Sequence, residues 1–353
     1  MAHRTLSLSL DRDQYCLLAL LSCLLTLFPM ANAVSEAESD VLFQSPGPLS
    51  AELALPLNTL LRNKADKPTV RGTLTVDGVA FGVEVTPRGK SRLEKCSFPP
   101  LWLAFDKAQV KDTLLHKQKR LKLVTHCKRN LTSKGYLAAE MLAYRLFNLL
   151  TPYSYQVRAV TMHYVDSEGG KLQTQPAFLL EHKKRLGKRL ALEEIEAAKV
   201  PRKALAADYT ALAALYNYFL GNTDFSFVRG PSEDECCHNS VPMRDGSGAV
   251  YPLLYDFDSS GFVDPPYAVP AESLGLRRLT QRKFRGYCAH NAETTAARQQ
   301  FIAHKDEVLS LVENFDEIPG LNRKKTLGFV SKFYATLEDD KSFERRILKR
   351  CRG

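Results

Sequence analysis

The chain has 353 residues, 44% of them hydrophobic and 25% charged, and 49 Lys and Arg against 39 Asp and Glu give a net charge of +10. It is long enough to bury a large core, and it contains no internal repeat, heptad array or low-complexity tract, which excludes solenoid and coiled-coil readings. The basic balance favours acidic partners such as a nucleotide, an acidic protein or an anionic membrane surface over a specific nucleic-acid reader, with a generic basic solvated surface as the bland alternative.

An apolar run from Tyr15 to Met30 followed by Ala31-Asn32-Ala33 reads as a signal peptide with the mature chain starting at Val34. An uncleaved anchor is the rival reading. No later segment is apolar for long enough to cross a bilayer, so the protein is expected to be exported, periplasmic or secreted, with no transmembrane segment after cleavage. Removal of the signal leaves Cys96, Cys127, Cys236, Cys237, Cys288 and Cys351. An even number in an exported chain points to disulfides, and Cys96 with Cys127 is the expected pair, tying together two core strands.

From Val34 to about Pro68 the chain is rich in Ser, Pro, Ala and Glu, which predicts a mobile leader with one short helix around Ala54 to Arg62. Val70–Val76 and Val79–Val85 alternate around Asp77-Gly78, a strong hairpin signal. The basic loop Thr86-Pro-Arg-Gly-Lys-Ser-Arg92 follows, then a strand over Pro100–Phe105 and another over Leu121–Thr125 that carries Lys122. Tyr136–Leu150 is apolar nearly all round and reads as a buried helix. Its one acid, Glu140, needs a cationic partner if buried, and Lys122 is the partner expected. Gln156–Val165 and Gln175–Glu181 read as a second hairpin, and charged Glu181–Gly187 as a flexible hinge. Helices are expected beyond it at Ala191–Lys199, at Ala206–Leu220 and repeatedly from Glu272 onward.

The stretch from Tyr216 to Tyr267 carries the chemistry. The helix ending at Leu220 runs into Gly221, a helix-terminating residue type, and puts Asp224 on the loop after it. A polar insert, Arg229–Glu235, separates Asp224 from His238 and Asn239. The apolar strand Val250–Tyr255 then delivers Asp256 and Asp258 at its carboxyl end. A carboxylate after a helix, an amide, and carboxylates after a strand are the parts of a phosphoryl-transfer site, in which one acid orients a hydroxyl while the amide and a second acid hold the metal on ATP.

Gly221-Asn222-Thr223-Asp224, His238-Asn239 and Pro252-Leu-Leu-Tyr-Asp256 together resemble the catalytic segment of HipA-type and CotH-type atypical protein kinases, and the resemblance runs in order from about Val70 to Asp264. It implies Asp224 as catalytic acid, Asn239 and Asp256 as metal ligands, and Lys122 with Glu140 as the pair that places ATP phosphates. Asp258 is either a second metal contact or a turn cap. Asn222 is the alternative amide, and His238 is expected to bond the loop backbone. Arg88-Gly-Lys-Ser91 is similar to an Arg-Gly-x-Ser segment of the CotH type; a Gly-x-Gly-x-x-Gly loop is absent, so phosphates are met either by Arg88 and Arg92 or by Gly78 to Gly82.

The implied fold is α+β and two-lobed, a protein-kinase-like architecture with a small antiparallel β-sheet lobe carrying one helix (69–183) and a mainly helical lobe (184–353), after the signal (1–33) and the leader (34–68). The implied function is an exported kinase-like phosphotransferase that moves a phosphoryl group from ATP, with Mg²⁺ or Mn²⁺, to a protein or small-molecule hydroxyl. A catalytically silent pseudokinase-like scaffold is the alternative, since a periplasm holds little ATP. A metal-dependent phosphoesterase using Asp224, Asp256 and Asp258 is a third reading. Arg277, Arg278, Arg282, Lys283 and Arg285, around an expected helix, either dock an acidic substrate or form a solvated face.

Overall fold

The computed structural model describes residues 40–353 apart from 45–46, 171 and 232–235. The export signal expected at 1–33, and its cleavage before Val34, lie outside the described residues. After a one-turn helix α1 (Val41–Gln44) comes β1 (Leu49–Leu55), in which Leu49, Ala51, Leu53 and Leu55 are buried and Ser50 and Glu52 are exposed. This period of two is that of a half-buried strand. β1 pairs antiparallel with β2 (Val70–Val76) on one side and parallel with β6 (Val157–Asp166) on the other. Between them run β3 (Val79–Pro87), β4 (Leu101–Phe105), β5 (Arg120–Thr125) and β7 (Leu172–Leu180), each antiparallel to its neighbours, in the order β1-β2-β3-β4-β5-β7-β6. Seven strands therefore close into a mixed barrel.

That closure overturns the two-lobed kinase-like architecture expected from the resemblance. The first part of the chain is not a small antiparallel sheet with open edges. Residues 49–55, read from sequence within a mobile leader, supply a seventh strand, and their parallel pairing with β6 satisfies the backbone groups an open sheet would leave bare. The expected short helix is present as α2 (Leu57–Arg62). The β2–β3 hairpin turns on Asp77 and Gly78, with φ of +51° and +78°, the left-handed pair that a tight hairpin requires.

The barrel interior is filled by alternate residues such as Leu53, Val85, Leu103, Leu123 and Tyr164. Along β7 the alternation serves two cores: Ala177 and Leu179 point into the barrel, while Phe178 and Leu180 belong to the second core outside it. A strand buried on both faces reads as a continuous apolar run. The second core is built around α4 (Leu131–Leu150), whose Leu142, Ala143, Leu146 and Phe147 are buried. The short helix α3 (Ser91–Lys95) precedes β4.

The charged segment after β7 is not a flexible hinge. It forms α5 (Lys183–Leu190), because His182 caps its first turn and Arg189 near its end bonds Glu181 at 2.8 Å. Ala191–Lys199 forms no helix and instead contributes β8 (Glu193–Glu194) to a small sheet with β9 (Ser240–Arg244) and β10 (Val250–Leu254). The buried helix α6 (Ala207–Leu220) lies between them in sequence. The basic stretch Arg277–Arg285 is irregular chain, and α7 (Asn291–Ala303), α8 (Lys305–Asn314), α9 (Arg323–Glu338) and α10 (Asp340–Arg346) complete the chain.

Cys96 at the end of α3 and Cys127 just past β5 are joined as expected, with Cα atoms 4.6 Å apart. Cys288 and Cys351 are joined across 63 residues and tie down the carboxyl-terminal tail, and the adjacent Cys236 and Cys237 are bonded to each other. Among the described residues no helix is long and apolar enough to cross a membrane.

Candidate functional site

One row of outward-facing barrel residues forms one wall of a cleft. In register, Thr86 on β3 faces Trp102 on β4, Trp102 faces Lys122 on β5, and Lys122 faces Leu180 on β7. All four line a cavity of about 580 Å³. The opposite wall comes from the loops after α6 and β10. Arg88, Arg92, Lys122, Glu140, Asp224, Asn239, Asp256 and Asp258, separated by up to 170 positions in the sequence, all line this same cavity.

Asp224 is placed by a chain of local bonds. Gly221 caps α6 with φ +59°, a conformation favoured by glycine. The Asn222 amide donates to Asn217 at 2.8 Å, and its oxygen accepts from the Asp224 backbone N–H at 2.9 Å. Asn222 is thus spent on building the turn and is not an alternative metal ligand. Asn239 donates its amide to the Asp224 carbonyl at 2.6 Å and to its carboxylate at 3.1 Å, leaving only the amide oxygen for other partners. His238 departs from its expected role: its backbone pairs with Ser226, but its ring sits 2.6 Å from Asp224 Oδ1. Burial pushes Asp224 up, but the hydrogen bond and charge of His238, helped by Asn239 and Arg285, outweigh it and hold the carboxyl below its usual range. The same hydrogen bond raises His238, against burial.

The Lys122–Glu140 pair expected from the sequence is not formed. Glu140 is gripped by Arg92, whose Nη2 lies 2.8 Å from Glu140 Oε2 and whose Nε lies 3.4 Å from Asp258 Oδ2. Arg92 projects from α3 and is 8% exposed, Glu140 2%. Burial pushes Glu140 up to about 8, with Arg92 the largest opposing influence. Burial, then the neighbouring Asp256, raises Asp258 to about 6. Lys122 instead lies over Tyr255 at 4.6 Å and Trp102 at 5.6 Å. Burial, then the charge of Arg88, lowers it to about 7.

Asp256 and Asn239 both adopt positive φ, +63° and +50°. Such backbone costs on the order of 1 kcal/mol and collects where side chains are aimed for a purpose. The Asp256 backbone N–H is held by the Tyr144 hydroxyl of α4 at 2.8 Å, which locks the β10 loop to the buried helix. Among the described residues no group of three His, Cys, Asp or Glu is arranged to hold a metal. Asp256 raises the neighbouring Asp258 carboxyl after burial, a crowding of like charges that a cation relieves. Two carboxylates suit Mg²⁺ or Mn²⁺ arriving with a phosphate ligand, since Mg²⁺ is commonly held by one or two carboxylates plus substrate oxygens.

Sequence reasoning missed Trp102, Arg120 and Tyr144 as parts of the site. The period-two pattern of β4 and β5 puts Trp102 on the same face as Lys122, a signal present in the chain. Gly82 lies against Gln109 and lines a different cavity, so the alternative glycine contact with phosphates is not part of this cleft. Comparison with protein-family models finds no match to this chain, and comparison with curated proteins finds none either.

Proposed function

We propose that the protein is a phosphotransferase that moves a phosphoryl group from a nucleoside triphosphate to a hydroxyl acceptor with a divalent metal. The observation that carries this reading is the convergence of Lys122, Arg88 and Arg92 with Asp224, Asn239, Asp256 and Asp258 on one cleft. It rests on the site and not on the barrel. Asp224, kept ionised by His238 and Asn239, accepts a hydrogen bond from the acceptor hydroxyl and orients its oxygen toward the phosphorus. Lys122 and Arg88 attract the phosphate oxygens, and Asp256 with Asp258 would hold Mg²⁺ or Mn²⁺, with the Asn239 oxygen as a further donor. The metal, when bound, neutralises charge on the phosphates. Most of the rate advantage then comes from positioning and electrostatics.

An exported location belongs to the same proposal, supported by the Cys96–Cys127 and Cys288–Cys351 disulfides. A second reading, a catalytically silent binding protein, is favoured by Arg92 standing between Glu140 and Asp258 and neutralising acids that a metal site would use. Transfer of labelled γ-phosphate by the oxidised protein separates the two. The expected result is metal-dependent transfer that falls by about a hundredfold or more in Asp224→Asn. Nucleotide binding without transfer, equal in wild type and Asp224→Asn, supports the silent reading.

A further inference from the structure

Resting on the phosphotransferase reading, we infer that the donor is recognised by its polyphosphate chain and not by a nucleobase, so that inorganic tripolyphosphate and longer polyphosphates serve as donors beside nucleoside triphosphates. Arg120, Arg88 and Lys122 surround the indole of Trp102 at 4.1, 5.2 and 5.6 Å. Arg92, also in the cleft, is neutralised by Glu140 and Asp258. Among the described residues Arg88, Arg120 and Lys122 pair with no carboxylate. Their closeness carries mutual repulsion: after burial, the charge of Arg88 is the main influence lowering both Arg120 and Lys122. A multivalent anion relieves that repulsion, and each added phosphate strengthens the attraction.

The aromatic rings that could stack a base are already engaged by cations, Tyr255 of the cleft by Lys122 at 4.6 Å. Trp102 is the only tryptophan of the chain, and the Arg120 guanidinium already lies against its ring. At the cleft end of β7, Leu180 pairs with Lys122 on one side and Val157 on the other, and the Glu181 N–H donates to the Gln156 carbonyl. Lying between β5 and β6, β7 thus offers no free strand edge whose N–H and C=O groups would hydrogen-bond a base. Pro87 and Pro100, also on the cleft wall, have no N–H to offer. Charge is what the wall presents. In the transfer step the bond from the terminal phosphorus to the bridging oxygen breaks and the acceptor oxygen forms the new bond. The hydroxyl proton passes to Asp224, and the bridging oxygen leaves with the bonding pair as a chain one phosphate shorter.

The test is thermal stabilisation of the oxidised full chain by ATP, GTP, tripolyphosphate and adenosine at matched free Mn²⁺, with sulfate at equal ionic strength as control, because a ligand selective for the folded state raises its stability by mass action. Tripolyphosphate and GTP are expected to bind within about tenfold of ATP, adenosine and sulfate to give no comparable shift, and the double variant Arg88→Ala/Arg120→Ala to weaken ATP and tripolyphosphate in parallel. Stabilisation by ATP that depends on Asp256, without stabilisation by tripolyphosphate, overturns the inference and leaves the phosphotransferase reading standing, as does stabilisation by adenosine. An equal shift from sulfate also overturns the inference, since the wall is then a general anion patch. No shift from any phosphate overturns both.

Discussion

At Arg92 three elements meet in one guanidinium: α3 carries it, Glu140 of α4 accepts its fork, and Asp258 of the β10 loop lies 3.4 Å away. Removing one partner of a buried pair leaves the other charge uncompensated, so Arg92→Met is expected to cost about 3–5 kcal/mol in urea unfolding where Glu140 is ionised, and less where it is protonated. Glu140 has a folded pKa raised above its unfolded value, to about 8. Its contribution is fully present below the unfolded pKa and is lost as pH rises through the folded one. Arg92 is the main influence opposing that rise, so removing it lifts the folded pKa further, and the cost of Arg92→Met should grow as pH rises above about 8; a cost independent of pH across that range would contradict this placement of the charge. At Asp224 the sign is opposite. His238 holds its carboxyl low, so His238→Ala should move the acid limb of the pH–rate profile to higher pH, which kcat/KM measured across the acid range checks directly.

At the scale of elements, β1 decides the architecture. Its side chains reach the barrel interior, with Leu53 fully buried, and Leu53→Ala is expected to cost about 2–5 kcal/mol, read from the urea midpoint at unchanged slope. The seam to β2 is tight. A Cβ on Gly72 would stand 2.5 Å from the Ala54 carbonyl oxygen and 2.9 Å from the Leu55 Cβ, which explains a glycine inside a strand. If β1 were a detachable leader, Leu53→Ala would be nearly neutral. The wall of the cleft is built from interior strands, β3, β4 and β5, each paired on both sides, so it presents side chains and leaves Lys122, Trp102 and Thr86 as its contact row.

For the whole molecule, two disulfides tie together segments distant in the sequence. The Cys288–Cys351 bond fastens the tail beside the start of α7 and is reinforced by the Cys288 N–H to Arg352 carbonyl bond at 3.0 Å. Replacing both cysteines by serine is expected to cost about 2–4 kcal/mol, mainly by freeing the unfolded chain. Comparing that variant with wild type under oxidising and reducing conditions checks the source of the effect: reduction should lower the midpoint of wild type more than that of the variant. An equal drop in both would place the stabilisation elsewhere.

What the sequence by itself determined were features written in a few adjacent residues. Asp77-Gly78 specifies its hairpin through two positive φ angles. The apolar run of α6 ending at Gly221, and the strand before Asp256, bring Asp224 and Asp256 to loop positions whatever the rest of the chain does. These signals act over one turn or one strand, where backbone sterics and side-chain period suffice. Tertiary structure alone decided which distant partners meet. Glu140 finds Arg92, 48 residues away, and not Lys122, because the fold brings the Arg92 side chain of α3 to α4 while Lys122 is turned toward Trp102 and Tyr255. β1 shows its alternating pattern plainly, yet the pattern states only that one face is buried. That its edges are taken by Val76 and Val160, closing a barrel where a small antiparallel sheet was expected, follows from satisfying every strand edge at once, a condition no local stretch contains.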